Sequence, residues 1–297
     1  MYRQKSSVAG WAECQKEVIW IDDIPWNVRD RILEPLSMPH TIENVNREKV
    51  HKALSDTNAL LAYWTDDWGR AESEWWWICC DDKEYDIENV INSRGRRGIH
   101  KGMKDCSVSR VVPKDFPNLT YNIFSESMKS YGIKSSKIPT KEEYYESIMN
   151  KSEYEGFELW GTFVGDKLAA FATCVVIDDV VMFGSTKSDP KLHTHSPNNA
   201  LFYHITKHYL RERGILYVTN GSRTLLHPTT INDFLIRMGF RKVFCRLNVE
   251  LSNFTKLLLN LTGSELNKYL KFFWKMFPRQ YEKFQAFLKL VEIGKTF

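Results

Sequence analysis

Three histidines, two serines and an arginine fall in two short stretches of this 297-residue chain. The first reads H-T-H-S-P-N-N from His193 to Asn199, and the second reads N-G-S-R-T-L-L-H-P-T-T from Asn220 to Thr230. Unperturbed imidazole titrates nearest neutral pH, so His193, His195 and His227 are candidate proton carriers, with His227 the first choice. The competing reading of a loop histidine is a solvated or capping side chain. Arg223, beside Ser222, has the planar fork that grips a carboxylate or phosphate with two hydrogen bonds; a surface ion pair is its plainer use. Ser196 is placed to cap a helix with Pro197 at its first position, and Thr229 or Thr230 to cap the next. Asn198 and Asn199 either contact a ligand or only reflect the polarity of a helix start.

A third concentration of chemistry lies upstream, in S-R-G-R-R-G-I-H-K-G-M-K-D-C from Ser93 to Cys106. At about 100° per residue, Arg94, Arg97, Lys101 and Lys104 share one helix face, with Ile99, Met103 and Cys106 opposite. Gly95, Gly98 and Gly102 form a stripe between them. Each internal glycine costs a helix about 1 kcal/mol against alanine, so three imply close packing, a ligand contact or a fraying helix. The basic row then faces either a cleft or solvent. A second basic row, Lys268, Lys271, Lys275 and Arg279, is interleaved with Phe272, Phe273, Trp274 and Phe277. Such a stretch packs on its parent domain, lies on an anionic membrane surface over residues 268–279, or meets tRNA or an acidic carrier protein.

Composition narrows the choices. Hydrophobic residues make up 43% and aromatics 13%, with ten tryptophans, which marks a folded chain. A net charge of +4 does not by itself mark a nucleic-acid binder. The cysteines Cys14, Cys79, Cys80, Cys106, Cys174 and Cys245 show no C-x-x-C spacing, so zinc is not expected. No secretory leader is read, and the expectation is reduced thiols in a cytoplasmic protein. The longest apolar run, Leu168 to Ile177, is about half a membrane span. There is no G-x-S-x-G elbow, P-loop, dinucleotide fingerprint or H-E-x-x-H, and H-T-H lacks a third metal ligand.

The elements that must position these residues follow from the pattern. The first seventy residues read as helical, with a helix over Glu43–Tyr63. A buried strand follows at Glu74–Cys80, then helices over Asp86–Met103, Asn118–Ser130 and Lys141–Asn150. Strands over Phe157–Val164, Lys167–Ile177 and Val180–Ser185 are joined by the tight turns Gly165-Asp166 and Asp178-Asp179. A helix over Asn198–Arg213 stops at Gly214, a strand covers Ile215–Thr219, a short helix Thr229–Met238 and a last strand Phe240–Leu251. From Phe254 the chain reads helical. The expected blocks are a helical extension over 1–73, a catalytic domain over 74–252, and C-terminal helices packed on it over 253–297.

This order, with G-D-K-L-A-A-F-A-T at Gly165–Thr173 and M-G-F-R-K at Met238–Lys242, resembles the GNAT acyltransferases. R-R-G-I-H-K-G-M-K at Arg96–Lys104 is similar to a helix of their FemAB-related branch, which includes transferases using aminoacyl-tRNA. The resemblance covers roughly the last three-quarters of the chain. It implies an α/β fold with a mixed, mostly antiparallel sheet flanked by helices. It further implies an N-acyltransferase moving an acyl or aminoacyl group from an activated thioester or ester directly onto an amine, a small molecule or peptide. Acyl-CoA, acyl-carrier protein or aminoacyl-tRNA would be the donor, with no permanently bound cofactor. On that reading His227, Arg223, His195 and Ser222 serve catalysis, and Ser196, Asn198, Asn199, His193, Arg94, Arg97 and Lys101 hold the donor. Two departures stand out. H-T-H-S-P-N-N-A has no glycine where GNAT enzymes cradle pyrophosphate, and Leu235 stands where many carry a tyrosine acid. A degenerate GNAT domain acting as a non-catalytic binding module is the alternative.

Overall fold

The computed structural model describes residues 6–70, 72–225, 230–261 and 278–295. In chain order its elements are α1 (Val8–Glu13), β1 (Val18–Ile21), β2 (Ile24–Arg29), β3 (Ile32–Pro35), α2 (Arg47–Asp56), β4 (Leu61–Asp66) and β5 (Trp76–Cys80). Then come α3 (Ser93–Asp105), β6 (Ser107–Arg110), α4 (Phe116–Ser130), α5 (Lys141–Ser152), β7 (Phe157–Val164), β8 (Lys167–Ile177) and β9 (Val180–Ser188). The last are α6 (Pro197–Lys207), β10 (Tyr217–Ser222), α7 (Ile231–Arg237), β11 (Arg241–Phe244), β12 (Arg246–Leu251), α8 (Asn253–Leu261) and α9 (Pro278–Ile293). One sheet has seven strands in the order β11-β5-β10-β9-β8-β7-β6, and another five in the order β1-β2-β3-β4-β12. The fold is the expected mixed α/β class, with mostly antiparallel sheets flanked by helices.

The chain forms two compact units that interleave in sequence, unlike the contiguous blocks 1–73, 74–252 and 253–297. Met1–Cys14, Ile78–Gly221 and Thr230–Lys242 make the first, and Gln15–Trp77, Ser222–Thr229 and Val243–Phe297 the second.

In the first unit the meander β7-β8-β9 is held by burial of β8 on both faces from Ala169 to Ile177 and by two tight turns, with Gly165 and Asp178 at positive φ. Alternation along β8 sends Phe171 to one face, where Phe116 of α4 meets it edge-on at 5.4 Å. The opposite face receives α6: Phe202 packs on Phe183 of β9 at 4.7 Å, and Trp160 of β7 on His204 at 5.5 Å. After Lys207 the helix passes into a π-turn, His208–Glu212, before Gly214 at positive φ releases the chain.

The second unit corrects the helical reading of residues 1–73. Val18–Pro35 is a three-stranded antiparallel ribbon, closed by turns with Asp22, Asp30 and Arg31 at positive φ. The helix read over Glu43–Tyr63 ends at Asp56. Asn58 turns to φ 53°, and Leu61–Asp66 becomes β4, between parallel β3 and antiparallel β12. Trp26, Leu33, Val50, Leu54, Ala62 and Trp64 bury the core between this sheet and α2. Val291 of α9 packs with Leu61 and Leu251.

The single strand read over Phe240–Leu251 is two strands in different sheets. Cys245 breaks it. Its N–H donates to Trp75 O at 3.2 Å, and its carbonyl accepts from Ser73 Oγ at 2.6 Å.

Candidate functional site in the first unit

Strands β9 and β10 pair in parallel only over Val180–Met182 and Tyr217–Thr219. Beyond Met182, β9 continues to Ser188 paired with β8 alone among the described residues, so the two strands part and leave an open β9 edge. The β8–β9 register slips between Ala172 and Cys174. A side chain at Gly184 would overlap Thr173 Oγ1, and that oxygen accepts from Ser185 N at 2.8 Å. Glycine is therefore required at this bulge. Past it, Thr186 pairs with Ala172 and Ser188 with Ala170, which places both on the face covered by α6.

The start of α6 overlooks this edge. Pro197 takes the first helical position, as expected, but Ser196 adopts left-handed φ 54°, ψ 44° and its hydroxyl makes no cap bond. Serine thus takes the conformation that a glycine-rich turn would adopt more easily. Asn199 N and Ala200 N both turn onto Ser196 O, at 3.1 and 3.3 Å, and Pro197 has no N–H. Among the described residues only the Asn198 N–H is then left to a ligand at this helix start.

Helix α3 begins later than the sequence suggests. Asp86 caps a short 3-10 turn at Ile87–Asn89, and Asn92 caps α3 through Arg94 N and Gly95 N, both at 3.0 Å. The glycine stripe packs. A Cβ on Gly95 would overlap Arg237 O, one on Gly98 would lie 2.5 Å from Asn199 Nδ2, and one on Gly102 would lie 2.6 Å from Ser196 O. The close-packing reading of the three glycines is correct, and their partner is the start of α6 together with the end of α7. Arg94, Arg97, Lys101 and Lys104 are exposed and make no ion pair among the described residues. Arg97 and Lys101 each neighbour a glycine buried or half-buried against α6.

The two loop histidines turn to different partners. His195 Nδ1 lies 3.2 Å from Asp105 Oδ2 at the end of α3. His193 Nε2 lies 2.9 Å from Ser188 Oγ, which also accepts from Asn198 Nδ2 at 3.1 Å. Asn199 Nδ2 meets Met238 Sδ at 3.3 Å. Asn198 Oδ1 and Thr186 Oγ1 are both buried, with no hydrogen-bond partner among the described residues. Sequence reasoning missed Ser188 and Thr186, because nothing in their spacing separates them from other strand residues. It also missed Tyr131, where α4 ends, on the other face of β9. Lys187 Nζ stands 3.5 Å from the Tyr131 hydroxyl, and a hydrogen bond with Ser127, then Lys187, holds that phenol below its usual range. Leu235 is fully buried, a core residue of α7.

Ser222 and Arg223 belong to the second unit. There Arg223 Nη1 donates to Glu74 O at 2.6 Å and lies 3.4 Å from Glu74 Oε2, so it adopts the ion-pair role. Lys289 Nζ approaches the same carboxylate at 3.3 Å, and these two cations, Lys289 first, hold Glu74 below the usual carboxylate range. His227 lies outside the described residues, as does the basic and aromatic row from Lys268 to Phe277. No disulfide joins the six cysteines; burial pushes the thiols of Cys79 and Cys80 up to about 12, so neither is a poised nucleophile. Among the described residues no cluster of metal-ligating side chains occurs, and no helix is long and apolar enough to cross a membrane.

Comparison with known proteins agrees with this geometry. Residues 93–221 match a family model described as an acetyltransferase (GNAT) domain. No curated protein sequence matches the chain. Among solved structures it is similar to a C-terminal domain (DUF2156) described as that of a lysylphosphatidylglycerol synthetase from Agrobacterium fabrum. The TM-score is 0.57 at 13% identity, over 89% of this chain and 93% of that one. It is also similar to FemX, with TM-score 0.53 at 10% identity, over 85% and 92% of the two chains. L-PGS from Bacillus licheniformis gives TM-score 0.51 at 13% identity, over 84% and 88%. At these identities the likeness is one of fold. Residues 93–221 are thus similar to GNAT acetyltransferase domains, in a chain whose fold is similar to that of FemX.

Proposed function

We propose that the protein is an N-acyltransferase in which an amine attacks an activated acyl group directly at the open edge of β9. The observation that carries this is the parting of β9 from β10 beyond Met182, in a GNAT domain, beside a helix start lined with hydroxyl, amide and imidazole groups. Such transfer needs a place for the acyl carbonyl, donors to its developing oxyanion and a base for the amine proton. An exposed strand edge supplies backbone N–H groups for the carbonyl, and the His193–His195 loop supplies imidazole.

The donor is acyl-CoA, an acyl-carrier thioester or an aminoacyl-tRNA. The basic row Arg94, Arg97, Lys101 supports an anionic donor, because these side chains make no ion pair among the described residues and flank the α6 start. The single unclaimed N–H there favours holding phosphate by side chains over a backbone cradle. The acceptor is a primary amine on a small molecule or peptide.

The test is acyl transfer by the full chain. Acetyl-CoA, an acetylated carrier protein and an aminoacyl-tRNA are each offered with a panel of primary amines, and amide product is followed by mass spectrometry. Amine-dependent loss of one donor is expected. Donor binding without consumption would instead make the domain a binding module.

A further inference from the structure

We infer that Ser188, Thr186, Asn198 and His193 form the subsite for the acceptor amine, with Ser188 relaying the amine proton to His193. This rests on the acyltransferase reading and reassigns Asn198 and His193 from donor to acceptor.

The hydrogen-bond directions define what the subsite accepts. Asn198 Nδ2 donates to Ser188 Oγ at 3.1 Å, so the serine hydroxyl proton is free to point at His193 Nε2, 2.9 Å away. That arrangement requires the neutral imidazole with its proton on Nδ1 and its lone pair on Nε2. Asn198 Oδ1 is then an acceptor, buried and without a donor. Thr186 Oγ1, also buried and unpartnered, lies two residues up the same face of β9, about 7 Å along the strand. A buried acceptor left without a donor is costly, and a carboxylate or phosphate placed there would add a second acceptor. A primary amine satisfies the site, with one N–H on Asn198 Oδ1 and another on Ser188 Oγ. An amide N–H of a bound donor could also fill Asn198 Oδ1. It would have no use for the adjacent base, since it surrenders no proton.

The proton path balances. The ammonium passes one proton to Ser188 Oγ as the serine passes its own to His193 Nε2, leaving a neutral amine and an imidazolium. The nitrogen lone pair forms the C–N bond at the acyl carbon. The carbon–sulfur or carbon–oxygen bond to the donor then breaks, and its electron pair leaves with that atom. The second N–H proton goes to the leaving thiolate or alkoxide. Thr186 Oγ1 is free to donate to the oxyanion as it forms. His195 is turned onto Asp105 instead, so Ser188–His193 is the relay attached to β9 itself.

Two measurements on the full chain test this. In the first, histidine 15N resonances are followed on titration with n-butylamine and, separately, n-butyrate. His193 should shift saturably with the amine alone, and Asn198→Leu should weaken that response at least tenfold. A response to butyrate, or to neither probe, overturns the subsite. In the second, acyl transfer is measured against pH with the donor found active. Ser188→Ala and His193→Gln should each lower kcat/KM by about 10²-fold or more, with donor affinity unchanged. The acid limb should disappear in His193→Gln. Unchanged rates and pH profile in both variants overturn the relay while leaving the transferase reading intact. If wild-type protein transfers no acyl group from any donor, the transferase reading and the relay fall together. The amine titration still decides whether the site binds amines.

Discussion

Alanine at the three glycines of α3 should give opposite signs at neighbouring positions. In a solvated helix each Gly→Ala change would add about 1 kcal/mol of stability through helix propensity. At Gly102 the new methyl would lie 2.6 Å from Ser196 O, 2.9 Å from Ala200 N and 3.1 Å from Ala200 Cβ, mostly backbone that cannot step aside alone. At Gly95 it would overlap the Arg237 carbonyl. Overpacking of this kind costs roughly 1–3 kcal/mol, so after the propensity gain Gly95→Ala and Gly102→Ala should destabilise by about 1–2 kcal/mol. At Gly98 the obstruction is the Asn199 amide, 2.5 Å away, a side chain whose other contact is the weak one to Met238 Sδ. Asn199 can rotate, so Gly98→Ala should be neutral or stabilising by up to about 1 kcal/mol. Urea denaturation followed by far-ultraviolet circular dichroism reads all three. Equal stabilisation in all three variants would refute the packing of α3 on the start of α6.

Three further predictions concern other groups. The Thr206 hydroxyl is fully buried without a partner among the described residues, so Thr206→Val should stabilise by about 1 kcal/mol and raise Tm by roughly 2–4 °C; a fall in Tm would count against it. Hydrogen bonds from Lys207 and Tyr203, then the Ile87 N–H, hold the Asp86 carboxyl far below its ordinary range, and Arg211 pairs with it at 2.7 Å. A depressed folded-state value contributes stability that is full above about pH 4 and is lost as pH falls through the folded value. Asp86→Asn should therefore destabilise by about 1–2 kcal/mol at pH 7, with the difference narrowing below pH 4 in parallel urea titrations. Arg97→Glu with Lys101→Glu should weaken binding of an anionic donor at least tenfold and flatten its salt dependence, with Tm unchanged because both side chains are exposed and make no ion pair among the described residues. Unaltered donor affinity would remove the α3 row from the site.

The meander was readable residue by residue because its signals are local. The apolar run Leu168–Ile177 and the turns Gly165-Asp166 and Asp178-Asp179 need no distant partner to be interpreted. The strands over Val18–Pro35 were not, because Pro25 lies inside β2 and the turns at Asp22 and Asp30 carry no glycine to mark them. Pro25 is tolerated near the strand's beginning, opposite Trp20. Phe240–Leu251 reads as one strand because its β propensity is continuous. Only Ser73 and Trp75, some 170 positions away, claim Cys245 and divide it. At the site, histidine and asparagine types were visible in the loop. Ser188 acquires meaning only once β9 carries it beneath His193 and Asn198, and Thr186 only once burial removes its partners.

Transfer of an acyl group to an amine at the open β9 edge within residues 93–221 is the proposal on which the other inferences rest. The most direct measurement is single-turnover transfer from acetyl-CoA, acetylated carrier protein and aminoacyl-tRNA to primary amines. The amide and the freed thiol or 3′-hydroxyl are both quantified. Stoichiometric amide and leaving group are expected from one donor, dependent on added amine and diminished in Ser188→Ala. Donor consumed without amine-dependent amide, or no donor consumed at all, would contradict the proposal.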